Sequence, residues 1–166
     1  MKKILCYGDS NTWGLIPGTQ NRFPQNVRWT GIDGAILMLG TNDCKACYKA
    51  SPHEIAKGLE CCIDELLCCI PAENILVVSP VHLGESVWKP QYDPEFDKVS
   101  VETSKQLHAE YQKAAHRKNV RIIAASDFVK ASETDQEHLD ETGHRILAEA
   151  IYQDVTGMKI PCFQRF

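Results

Sequence analysis

Short apolar runs that stop abruptly, alternating with amphipathic helical stretches, constrain this chain most. The runs lie at 4–7, 35–39, 75–79 and 120–124; Gly8, Gly40 and Pro80 halt the first three. Runs of this length, rich in Ile, Leu and Val, read as buried strands. Between them, 52–70 carries Ile55, Leu59, Cys62, Ile63, Leu66 and Ile70 on one helical face. Pro52 suits a first turn, and Glu54 follows Ser51 at capping-box spacing. A second helix is expected over 101–117, with Leu107, Tyr111, Ala114 and Ala115 inward. A third is expected over 142–155, with Ile146, Leu147, Ala150 and Ile151 inward. Strands alternating with helices predict an α/β fold with a parallel sheet. Residues 8–31 and 81–99 show no helical period and read as long loops. Trp88, Tyr92 and Phe96 in the second loop either line a pocket or subunit contact or cover the core.

The chain's 166 residues are enough for one domain with a real core. The net charge of −4, without a Lys/Arg block, argues against a nucleic-acid partner. The apolar run behind Lys2 and Lys3 is too short for a signal peptide, and no stretch approaches a membrane span. A cytoplasmic setting is therefore expected, with the eight cysteines mostly thiols. Cys44-x-x-Cys47, with Cys61, Cys62, Cys68 and Cys69, could suggest metal or redox chemistry, but neighbouring pairs on a helix are not zinc spacing and the cysteines read as packing residues; no metal or organic cofactor is expected.

Polar clusters follow two strand ends, Gly8-Asp9-Ser10-Asn11 and Gly40-Thr41-Asn42-Asp43, and a third, Asp135-Gln136-Glu137-His138, precedes the last helix. Right-handed crossovers in a parallel sheet bring successive strand ends to one edge, where ligands bind. Ser10, Asn42, Asp135 and His138 are thus expected to converge. Serine needs a base to take its proton, and histidine is the usual one. A carboxylate fixes that histidine's tautomer. Asn42 offers an amide donor to an oxyanion, alongside the Ser10 N–H. Asp9, Asn11 and Trp13, flanking the serine, are the expected substrate contacts. His144 reads as a surface or cap residue and His82 as a solvated loop residue, so neither competes strongly with His138.

These three blocks, in this order, resemble those of the SGNH (GDSL-like) hydrolases, with Asn11 where that family commonly has Leu. Gly8 to Gly14, Arg28 to Gly31 and Ile36 to Asp43 are similar to its arylesterase and perhydrolase branch of lipases and acylhydrolases. The resemblance implies a three-layer, flavodoxin-like α/β/α fold. It also implies a serine esterase or acyltransferase acting on short-chain carboxylic esters through an acyl-serine, with Ser10 as nucleophile, His138 as base and Asp135 as its orienter. The partner implied is a small acyl ester, and a homo-oligomer is compatible with this reading. A non-catalytic flavodoxin-like binding or assembly protein that keeps the motifs as relics stays open as the alternative.

The family's second block contributes a glycine whose N–H is a further oxyanion donor. Nothing suitable lies between Trp29 and Ala35. A helix beginning at Arg28 is cut off almost at once, although a parallel crossover normally needs a dozen or more residues including a helix. The single domain over 1–166 is therefore expected to omit a strand–helix unit near 30–33. A natural deletion that leaves a weakened enzyme is the other reading.

Overall fold

The computed structural model describes residues 3–13, 17–18 and 32–156, with only the backbone of Trp13. The elements run β1 (Ile4–Gly8), α1 (Ser10–Trp13), β2 (Gly34–Met38), α2 (Pro52–Leu67), β3 (Ile75–Ser79), α3 (Lys98–Lys118), β4 (Arg121–Ala124) and α4 (Glu141–Thr156). The described strands form one parallel sheet in the order β1-β2-β3-β4. The predicted α/β class and parallel sheet are thus what the chain adopts.

Strand alternation sets the layers. In β3, Ile75 and Val77 face the cluster built with Leu59 and Ile63 of α2 and Leu107 and Tyr111 of α3. Leu76 and Val78 face the opposite cluster, with Leu147 and Val155 of α4. Two helices therefore cover one face and α4 the other, with β3 buried on both sides. Phe96 is buried in the first cluster and Trp88 packs against it, so these two aromatics cover the core.

Local chemistry fixes the helix starts. The Ser51 hydroxyl accepts the Glu54 N–H, and the Glu54 carboxylate accepts the Ser51 N–H at 2.8 Å, closing the expected box on α2. Asp97 and Ser100 make an equivalent reciprocal pair, which starts α3 three residues before the position that the periodicity predicts. At its other end, Asn119 takes the left-handed conformation (φ 54°) that terminates a helix.

Four expectations are corrected. Tyr7 is 49% exposed and Cys6 is also exposed, because β1 pairs only with β2 among the described residues. On α4 the inward face is set by Gly143, His144, Leu147 and Val155. His144 is therefore buried instead of lying at the surface, and Ile146, one position off this face, is 38% exposed. Residues 10–13 form a short helix where a loop was expected. The expected omission falls partly outside the described residues, since 30 and 31 are not among them. All seven described cysteines are free thiols. No described helix is long and apolar enough to cross a membrane.

Candidate active site

Gly8 closes β1, and Ser10 opens α1 two residues later. A Cβ on Gly8 would collide with the Thr12 side chain and the Met38 carbonyl, so the tight turn requires glycine. The register pairs Gly8 with Met38, which sets the Ser10 turn beside the end of β2. There Gly40 adopts φ +122°, and a Cβ would strike the Tyr111 hydroxyl beneath it. That hydroxyl donates to the Leu39 carbonyl at 3.0 Å. Asn42 begins a short 3-10 turn and is exposed at the same sheet edge.

Ser10 and His138, 128 residues apart, meet at this edge. The Ser10 Oγ lies 2.6 Å from His138 Nε2, and His138 Nδ1 lies 2.7 Å from Asp135 Oδ2. A carboxylate can only accept, so Nδ1 carries the proton and Nε2 is left to accept the serine hydroxyl. Asp135 also turns its own loop: Oδ1 accepts the N–H of Glu137 at 3.1 Å and of His138 at 2.9 Å.

Burial raises the Asp135 carboxyl, but the His138 ring and the two N–H donors outweigh it and hold the group below the usual carboxylate range. Burial pulls the His138 imidazole down; Asp135, Glu137 and Asp9 overcome this and raise it above its ordinary value. Asp9 lies at the foot of the serine turn, where its Oδ1 accepts the Asn11 N–H at 3.1 Å. Burial pushes its carboxyl up, against smaller opposing pulls from Asn11, Thr41 and His138. Its Oδ2 and the buried Thr41 Oγ1 both lack a partner in hydrogen-bond geometry among the described residues.

Asn11 differs from its expected role as a substrate contact. It is only 5% exposed, and its amide oxygen accepts the Leu139 N–H at 2.9 Å. It ties the residue after Ser10 to the residue after His138. The Trp13 side chain lies outside the described residues. His82 is exposed beside a cavity that Lys105, Ser132 and Gln136 also line. Partial desolvation of the ring, then the Lys105 charge, lowers its imidazole.

Two residues that sequence reasoning missed support the site. Gln136 takes φ 63°; its carbonyl accepts the Gly84 N–H at 2.8 Å and its side-chain oxygen the Ser86 N–H at 2.9 Å. Glu137 is 6% exposed, with Oε2 3.9 Å from His138 Nδ1. Its only sequence signal is a charged residue inside the Asp-x-x-His block. Among the described residues no group of three or more His, Cys, Asp or Glu is placed to hold a metal ion.

No family model and no curated protein sequence matches the chain. Solved structures do. A carbohydrate acetylesterase from Sinorhizobium meliloti is 26% identical, with 94% of this chain and 99% of that one covered and a TM-score of 0.78. An aryl esterase from M. smegmatis is 23% identical, with 95% and 100% covered and a TM-score of 0.78. A lipase/acylhydrolase from Enterococcus faecalis shares the fold at 16% identity, with 99% and 100% covered and a TM-score of 0.71. The chain thus has the fold of these esterases and acylhydrolases, and the neighbours support its resemblance to the SGNH (GDSL-like) hydrolases, on their arylesterase-like side.

Proposed function

We propose that the chain is a serine esterase that cleaves short-chain carboxylic esters through an acyl-serine. The observation that carries this is the Ser10–His138–Asp135 hydrogen-bond chain, 2.6 and 2.7 Å long, at the carboxyl edge of a parallel sheet. The esterases among its structural neighbours support the reaction class.

In this reading the Ser10 Oγ attacks the ester carbonyl while His138 Nε2 takes its proton. The imidazolium is steadied by Asp135 and then protonates the leaving alcohol. The Ser10 N–H and the Asn42 side chain hold the oxyanion. Water, or another acceptor, attacks the acyl-serine with His138 again as base. Asp9 and Trp13 remain the proposed substrate contacts. A strand–helix unit between Trp29 and Ala35 would add a third oxyanion donor. An intact mass of the natural protein above that of this chain tests this part.

A chromogenic acetate ester tests the reaction. Ser10→Ala is expected to lower kcat by roughly 10⁴-fold or more while the protein stays folded. Turnover surviving in a folded Ser10→Ala protein excludes Ser10 as nucleophile. A full-length wild-type protein with no hydrolysis would favour the non-catalytic alternative.

A further inference from the structure

Glu137 is a buried carboxylate that the proposed chemistry leaves unused. Its Oε2 faces the same ring nitrogen of His138 that Asp135 already engages, at 3.9 Å against 2.7 Å. Nδ1 has one hydrogen, and Asp135 accepts it. Glu137 is therefore too far away to orient the ring by a hydrogen bond, yet close enough to act through its charge. Its side chain is 8% exposed, so solvent screens that charge little.

The surrounding charges come from three segments. Lys45 of the turn after Asn42 attracts Glu137; Asp93 of the loop before α3 and Asp135 of its own loop oppose it. Lys45 is itself paired with Asp93 at 3.7 Å and with Glu95. Asp9, at the foot of the serine turn, also acts on the imidazole through its charge. Burial pushes the Glu137 carboxyl above its usual range, and His138 is the strongest influence pulling it back. A buried carboxylate is costly unless a positive charge answers it. The imidazolium is such a charge, and it forms as Ser10 loses its proton.

We propose that Glu137 is a positioning residue whose negative charge steadies the His138 imidazolium during turnover, as a second carboxylate behind Asp135. The proposal rests on His138 being the base. Attraction between Glu137 and His138 is strongest when the ring is charged, so it favours the transition state over bound substrate. Removing the charge should lower kcat and leave KM nearly unchanged.

The test is a titration of the His138 ring by nitrogen NMR in the Ser10→Ala protein, with and without Glu137→Gln. Loss of the charge is expected to move the midpoint down by about one pH unit, the lower end of what an opposite charge at this range produces. In the Ser10-intact protein, Glu137→Gln is expected to shift the acid limb of kcat/KM down with it and to lower plateau kcat by up to about tenfold. Glu137→Asp, which keeps the charge, is expected to lie nearer the wild type in both. An unchanged His138 midpoint in a folded Glu137→Gln protein overturns the proposal. If Glu137→Gln does not fold, the Glu137 carboxyl carbon is followed in the Ser10→Ala protein. A step in its shift at the His138 midpoint supports the pair, and a flat response overturns it. Failure of the esterase reading appears separately, as hydrolysis surviving His138→Gln.

Discussion

Asn11→Ala isolates the contact that ties the two halves of the site together. The Asn11 side-chain oxygen accepts the Leu139 N–H at 2.9 Å, and both residues are buried, at 5% and 1% exposure. Alanine leaves that N–H inside the protein without its acceptor. An orphaned buried donor costs roughly 1–3 kcal/mol. At the middle of that range, a chain of this size should lose roughly 4–8 °C in Tm. The same substitution frees the residue after Ser10 from the residue after His138, 128 positions away. A misplacement of about 1 Å in reacting groups can cost roughly 10²-fold in rate. We therefore expect kcat on a chromogenic acetate ester to fall roughly 10- to 100-fold, with KM little changed. Asn11→Asp keeps an acceptor oxygen at the same place and should recover part of kcat. Steady-state kinetics beside thermal melts read both effects. An Asn11→Ala protein that melts like the wild type and keeps its kcat refutes the reasoning. A change in KM alone would return Asn11 to the substrate-contact role first expected of it.

Asn42→Ala should lower kcat by roughly 10²–10³ without a matching rise in KM, as for one side-chain oxyanion donor; a KM effect alone would place Asn42 in ground-state binding. Gly40→Ala combines backbone strain at φ +122° with a collision against the Tyr111 hydroxyl, and should cost roughly 2–5 kcal/mol in denaturant unfolding. Since His138 is raised above its ordinary value and must be neutral to act as base, kcat/KM should climb with pH and reach its half-maximum above 6.5. An acid-limb midpoint below 6.5 contradicts that sign. His144→Gln, at a buried site, should destabilise by roughly 1–3 kcal/mol, more than a surface change, while kcat of the folded protein persists.

The sequence was most legible where a feature is local. Ser51-x-x-Glu54 closes as a capping box, and the apolar spacing of 52–70 buries Ile55, Leu59 and Ile63. Asp97-x-x-Ser100 is as local, but it sits at the end of a loop without helical period, so its helix start was read three residues late. The assignment of faces on α4 failed for a different reason. Its inward stripe includes Gly143 and His144, neither strongly apolar, so reading hydrophobicity alone rotated the stripe to include Ile146. Tyr7 was misread because burial of a strand depends on what lies beside it, and that is a property of the sheet.

The site follows the same division. The Asp135-x-x-His138 spacing is local: one carboxylate oxygen takes two backbone N–H groups of its own turn, and the other takes the ring. This fixes His138 relative to Asp135 but not relative to Ser10. That second placement comes from contacts beyond the motif. Ser132 N–H donates to the His138 carbonyl at 2.7 Å, Gly84 N–H reaches the Gln136 carbonyl, and Leu139 N–H reaches Asn11. Gln136 takes its left-handed conformation at the contact with Gly84, where a Cβ on residue 84 would strike its side chain. None of Gln136, Gly84 or Asn11 carries reactive chemistry. Their identities matter through an N–H or carbonyl they present or accept, which a reading based on nucleophiles, bases and acids passes over. The motif supplies a histidine with the right tautomer, and these three contacts hold its loop where Nε2 meets the Ser10 hydroxyl.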